Sequence, residues 1–126
     1  ERIEMLRMAL GEDARWRIVA VPDLDDGQRW TALLSGLVGA VDLLVTDNPY
    51  VRSLVATCWQ VIRPVELLPR DRWVAVDGTT VRRAMARGEA WRELVPPAVA
   101  ELIERRGLDD RFRREFGLAT LALDAT

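Results

Sequence analysis

Lysine and histidine are both missing from this 126-residue chain, and cysteine occurs once, at Cys58. All 18 basic residues are therefore arginine. Without lysine there is no Schiff-base chemistry and no Walker A loop within the chain. Without histidine there is no Ser-His-Asp triad, no Cys-His dyad, no imidazole base and no His-containing zinc site. A single cysteine forms no internal disulfide, which fits a reducing, cytoplasmic compartment. Charge of one sign is also lacking: 18 basic residues stand against 20 acidic ones, net −2. That balance gives no global attraction to nucleic acid or to an anionic membrane. Long hydrophobic runs are absent as well. The longest mostly apolar stretch, Leu33–Val41, has nine residues, carries Ser35, Gly36 and Gly39, and is followed by Asp42, whereas a membrane span needs about 20.

What is present is an apolar share of 49%, enough for one packed domain of typical size. The pattern alternates between helical and strand periods. Ile3, Leu6, Ala9 and Leu10 share a helical face that Gly11 stops. Trp16–Val21 is short, β-branched and closed by Pro22, and predicts a buried strand. Trp30–Val38 is helical, and Val41–Thr46 predicts a second strand. Asp47, Asn48 and Pro49 read as a loop, an N-cap and a first-turn proline of a short helix reaching about Thr57. Trp59–Ile62 predicts a third strand, stopped by Pro64. The last third is helical: Thr79–Ala86 runs up to Gly88, and Pro97–Arg106 ends at Gly107. The tail from Leu108, charged and then apolar, has no clear reading. This order predicts an α/β fold with a mostly parallel sheet, whose ligands sit beyond the carboxyl ends of the strands. Two loops meet that condition, Asp23–Arg29 and Asp47–Val51.

Candidate chemistry clusters at few places. Gly78-Thr79-Thr80 at a helix start offers open backbone N–H groups and hydroxyls to an anion. Arg82, three residues beyond Thr79, faces the same way, and its planar fork suits phosphate. An ordinary capped helix with solvated arginines is the competing reading, and Asp77 is its natural cap. Trp30 at the ligand edge can stack on a planar ring or pack in the core. Asp23, Asp25 and Asp26 have the chemistry of a hard-cation site and equally that of turn formers. Asn48 can bond a ligand or simply cap its helix.

Taken together, these segments resemble the archaeal-type nicotinamide mononucleotide adenylyltransferases of the nucleotidyltransferase superfamily, in order, from Glu1 to about Arg114. Glu1-Arg2-Ile3-Glu4-Met5-Leu6 is similar to the family's "GER…ML" helix start. Pro22-Asp23-Leu24, followed after five residues by Trp30, is similar to "PDI…W". Asp47-Asn48-Pro49-Tyr50-Val51-Arg52 resembles "GNPLVR". Gly78-Thr79-Thr80-Val81-Arg82-Arg83-Ala84-Met85 resembles "SGTEIRRRM", and Gly88-Glu89-Ala90-Trp91-Arg92-Glu93-Leu94-Val95-Pro96 resembles "GEPWEDLVP". Asp77 stands where the family usually has serine, and Asp47 where it has glycine.

The resemblance implies a Rossmann-like fold and adenylyl transfer from ATP to nicotinamide mononucleotide, giving NAD and pyrophosphate, with Mg²⁺ accompanying ATP. It implies that Gly78, Thr79, Arg82 and Arg83 bind ATP phosphates, with Arg82 the candidate catalytic group. Asp23, Trp30 and Asn48 would form the nucleotide pocket, Trp30 stacking on the nicotinamide ring. No resident metal site, nucleic acid or membrane partner is implied. The family's opening "GRFQPxHxGH" has no counterpart, so a single nucleotidyltransferase domain over residues 1–126, without its first βαβ unit of roughly 30 residues or more, is expected. Apolar strand edges left open by that loss would favour self-association into a homo-oligomer. An adenylyltransferase for another nucleotide, or a non-catalytic nucleotide-binding or assembly module, are the alternatives.

Overall fold

The computed structural model describes residues 1–125. In chain order its elements are α1 (Arg2–Leu10), α2 (Gly27–Val38), β1 (Leu44–Val45), α3 (Pro49–Val55), β2 (Val61–Ile62), α4 (Gly78–Arg87), α5 (Pro97–Arg105) and α6 (Leu108–Asp124), with short 3₁₀ turns at Pro64–Glu66, Arg70–Arg72 and Arg92–Leu94. They form two compact units, one of Arg17–Val74 and one of Glu1–Trp16 with the segment from Ala75 onward. Among the described residues no helix is long and apolar enough to cross a membrane.

The Arg17–Val74 unit is built on a β-α-β crossover. β1 and β2 pair in parallel, with Leu44 opposite Val61 and Val45 opposite Ile62. Leu44 N–H donates to the Gln60 carbonyl at 2.9 Å, and Thr46 N–H donates to that of Ile62 at 3.0 Å. Parallel strands need a crossover of this kind, and α3 supplies it. Asn48 starts α3 as the sequence predicts: its side-chain oxygen accepts from the N–H groups of Tyr50 at 2.9 Å and Val51 at 3.3 Å, with Pro49 at the first helical position. Asp26 does the same for α2, accepting from Gln28 and Arg29. Arg17 closes the other end of α2, its guanidinium 3.4 Å from the carbonyls of Leu37 and Val38, where cations complement the helix dipole. Val55 of α3 is fully buried.

The other unit is helical. Its core is Ala84, Met85, Trp91, Val99, Ala100 and Ile103, with Met5, Val81, Leu94, Leu108 and Phe112 packed around it. Gly88 ends α4 in the left-handed region at φ 70°. Its N–H returns to Met85 and that of Glu89 to Ala84, a reversal glycine makes without steric cost. The turn brings Trp91 back into the core, where it is 5% exposed. Glu1 and Arg111 pair through two 2.7 Å hydrogen bonds and Glu4 pairs with Arg106 at 2.8 Å, fastening α1 to the carboxyl-terminal helices.

The strand expectations change, and the tail gains a reading. The segment 16–21 forms no strand, because a strand exists only through a ladder partner and none of its backbone groups is bonded to another strand among the described residues. The two remaining strands are shorter than their apolar runs for the same reason, so the parallel sheet has two strands. The tail from Leu108 is one 17-residue helix. Leu108 and Phe112, one turn apart, reach the core, and the Phe112 and Phe116 rings lie 5.7 Å apart.

Candidate functional site

In the Arg17–Val74 unit, three residues expected to meet a nucleotide line one cavity. Asp23 comes from the loop before α2, Trp30 from the first turns of α2, and Asn48 from the cap of α3; Leu24, Gly27, Tyr50, Val51 and Leu54 complete the wall. The cavity measures about 150 Å³. Small-molecule sites usually enclose ~300–1,000 Å³, while a cavity of ~150 Å³ admits a single benzene-sized ring. The space therefore suits one ring and leaves the rest of a ligand outside.

Its chemistry follows from local structure. Trp30 is half-buried and stands outside the buried core, so its indole face is available to a planar ring. The Asn48 oxygen is committed to capping, and its NH₂ donates to no partner among the described residues. Asp23 is the one charged residue lining the cavity among the described residues. Gly27 sets the spacing: a Cβ there would lie 2.5 Å from Leu54 Cδ2 and 3.3 Å from the Tyr50 hydroxyl, so its absence lets α2 and α3 approach at the cavity. The sequence reading placed Gly27 and Tyr50 in the two ligand loops without giving either a role, and missed Leu54. Tyr50 and Leu54 share a face of α3 by their i,i+4 spacing, a signal that could have found them.

Of the three aspartates Asp23, Asp25 and Asp26, one has a defined local role. Asp26 is spent on the α2 cap, and no group of three His, Cys, Asp or Glu side chains able to hold a metal occurs among the described residues.

The second candidate region is the start of α4, in the other unit. Asp77 caps it, its Oδ1 accepting from Thr80 N–H at 2.7 Å and the Thr80 hydroxyl at 2.9 Å. These hydrogen bonds hold the Asp77 carboxyl below the usual carboxylate range. Arg82 folds back over the same turn: its Nη2 donates to Thr79 Oγ1 at 3.3 Å, and a Cβ on Gly78 would meet its Nη1 at 3.0 Å. Gly78, Thr79 and Arg82 are thus together. Arg83 points elsewhere, to Asp124 of α6, which also takes Arg87 Nη2 at 2.9 Å. Asp124 is only 14% exposed, so this pairing joins α4 to α6, while the Arg83 side chain itself stays 47% exposed.

No protein-family model matches the chain. Curated relatives do. It is 32% identical over 105 residues to the nicotinamide-nucleotide adenylyltransferase of Methanothrix thermoacetophila, covering 82% of this chain and 60% of the relative. To the enzyme of that name from Thermococcus onnurineus it is 35% identical, over 82% of this chain and 56% of the relative. To that from Ignicoccus hospitalis it is 34% identical over 119 residues, 90% of this chain and 67% of the relative. The chain spans about 60% of the length of the first of these relatives. With that identity sustained across both units, the chain belongs to the archaeal nicotinamide-nucleotide adenylyltransferase family.

Proposed function

We propose that this chain carries the acceptor pocket and part of the ATP site of an enzyme that joins ATP and nicotinamide mononucleotide into NAD and pyrophosphate, on a Rossmann-like nucleotidyltransferase fold. The observation that carries the reading is the convergence of Asp23, Trp30 and Asn48 on one ring-sized cavity. The nicotinamide ring stacks on Trp30, and its carboxamide exchanges hydrogen bonds with the open groups of Asn48 and Asp23. A carboxylate in the carboxamide's place would face the Asp23 charge without a cation lining the cavity, so the pocket favours nicotinamide over nicotinate mononucleotide.

The acceptor's 5′-phosphate oxygen attacks the α-phosphorus of ATP. A new P–O–P bond forms as the bond to the β-phosphate oxygen breaks, and pyrophosphate leaves with the electron pair. No covalent intermediate on the protein is required, so catalysis lies in positioning and in neutralising charge. Arg82, the Thr79 hydroxyl and the Gly78 N–H bind ATP phosphates, and Arg82 offsets the developing charge. Arg83, held to Asp124 through Nε and still 47% exposed, is the weaker phosphate contact. Mg²⁺ enters with ATP, held by its phosphates.

The test is NAD formation from ATP, nicotinamide mononucleotide and Mg²⁺, by the 126-residue chain and by the same chain joined to the amino-terminal part of one of its relatives. Turnover is expected from the joined protein and none from the chain alone, since several preorganised donors to the pyrophosphate would be missing and one such donor is worth on the order of 10²–10³ in rate. No dependence on nicotinamide mononucleotide in the joined protein contradicts the assignment.

A further inference from the structure

Asp47 lies two residues beyond the carboxyl end of β1, and Arg63 directly follows β2. The last ladder bond, Thr46 N–H to the Ile62 carbonyl, lies just before them. Arg63 Nε donates to Asp47 Oδ1 at 2.6 Å. Both side chains stay accessible, 48% and 60% exposed. The pair leaves specific groups over: Asp47 Oδ2 and both Nη atoms of Arg63 have no hydrogen-bond partner among the described residues. Thr46 Oγ1 accepts the N–H of Asn48 at 3.2 Å, fixing the short loop that carries Asp47 beside the Asn48 edge of the cavity.

We propose that Asp47 binds the ribose hydroxyls of the acceptor nucleotide, and that Arg63 is the positioning residue that holds it there. The inference rests on the functional reading above. A ring filling the 150 Å³ cavity leaves its sugar outside, and Asp47 adjoins Asn48, which lines the cavity. A carboxylate is an acceptor only, so it matches a pair of O–H donors and repels a phosphate. In open α/β sheets an acidic residue at a strand's carboxyl end is a recurrent partner of ribose hydroxyls. Arg63 takes one carboxylate oxygen, turns the other outward and neutralises a charge that would otherwise oppose the nucleotide phosphate. Such a site distinguishes ribose from deoxyribose, because removing the hydroxyls leaves its acceptor unmatched.

The experiment is calorimetric titration of the 126-residue chain with nicotinamide mononucleotide and with its 2′,3′-dideoxy analogue. The wild-type chain should bind the dideoxy compound about tenfold or more weakly, the scale of a hydrogen bond to a charged group. In Asp47→Ala the ratio of the two dissociation constants should fall toward one. Arg63→Ala should also narrow it, and Arg63→Lys should restore part of it. A purely structural ion pair would alter melting temperature or both affinities equally and leave the ratio alone; an unchanged ratio in Asp47→Ala overturns the inference while the functional reading stands. Binding of neither nucleotide by the wild-type chain overturns the functional reading and this inference with it.

Discussion

Replacing Trp30 with alanine separates a ligand-stacking tryptophan from a core one. Trp30 is half-buried, lines the ring-sized cavity and belongs to no buried cluster. A ring stacked on an aromatic side chain is worth ~1–3 kcal/mol by alanine substitution, so the dissociation constant for nicotinamide mononucleotide should rise roughly 5- to 150-fold. The stability cost should stay well under the ~3–5 kcal/mol of a buried tryptophan, and alanine's higher helix propensity in α2 offsets about 0.5 kcal/mol of it. Trp91 provides the internal control. At 5% exposure within the core of its unit, Trp91→Ala should cost ~3–5 kcal/mol. Trp30→Phe keeps a planar face and should bind within a few-fold of wild type. Calorimetric titration and denaturant melts on the same preparations give both numbers. A stability loss at Trp30 equal to that at Trp91, with unchanged nucleotide affinity, would refute the reasoning.

Arg82→Ala should weaken ATP binding about tenfold or more while changing stability by no more than ~0.5 kcal/mol, as befits an exposed side chain; ATP titration and thermal melts check both. Arg83→Ala should weaken ATP binding less than Arg82→Ala does, and cost up to ~1 kcal/mol through the lost Asp124 contact. Asp77 supplies a pH dependence. Its folded-state pKa lies below the ordinary value of 3.8, through hydrogen bonds from Thr80. Its contribution is therefore present above about pH 4 and is lost as pH falls through the folded value. Asp77→Asn keeps a capping oxygen but no titrating group, so the melting-temperature gap between wild type and variant should narrow on acidification from pH 5 to pH 2.

What the sequence made legible was local. The Asn48-Pro49 start of α3 and the Gly88 stop of α4 depend on side chains and dihedrals within a few residues, and both stand where the pattern put them. The Trp16–Val21 strand failed because its apolar, β-branched composition specifies a preference for extension but not a partner to pair with. Asp23, Trp30 and Asn48 were legible as a set only through the order of the motifs. That they share a cavity depends on Gly27 permitting the approach of α2 to α3. The Asp47–Arg63 and Arg83–Asp124 pairs were not legible, since each joins residues that only the fold brings within reach. Arg82 and Arg83 are identical in type and adjacent in the chain; the helical turn sends one to Thr79 and the other to α6.

The central claim is that one unit of this chain recognises the nicotinamide ring and the other binds ATP phosphate. Two-dimensional NMR of the ¹⁵N-labelled 126-residue chain tests it most directly, by titration with nicotinamide mononucleotide and separately with Mg²⁺-ATP. The account predicts that the mononucleotide shifts the Trp30 indole N–H and the Asn48 carboxamide, and that ATP shifts the amides of Gly78 and Thr79 and the Arg82 side chain. Shifts from nicotinamide mononucleotide that avoid Trp30 and Asn48, or ATP shifts that avoid the first turn of α4, would contradict it.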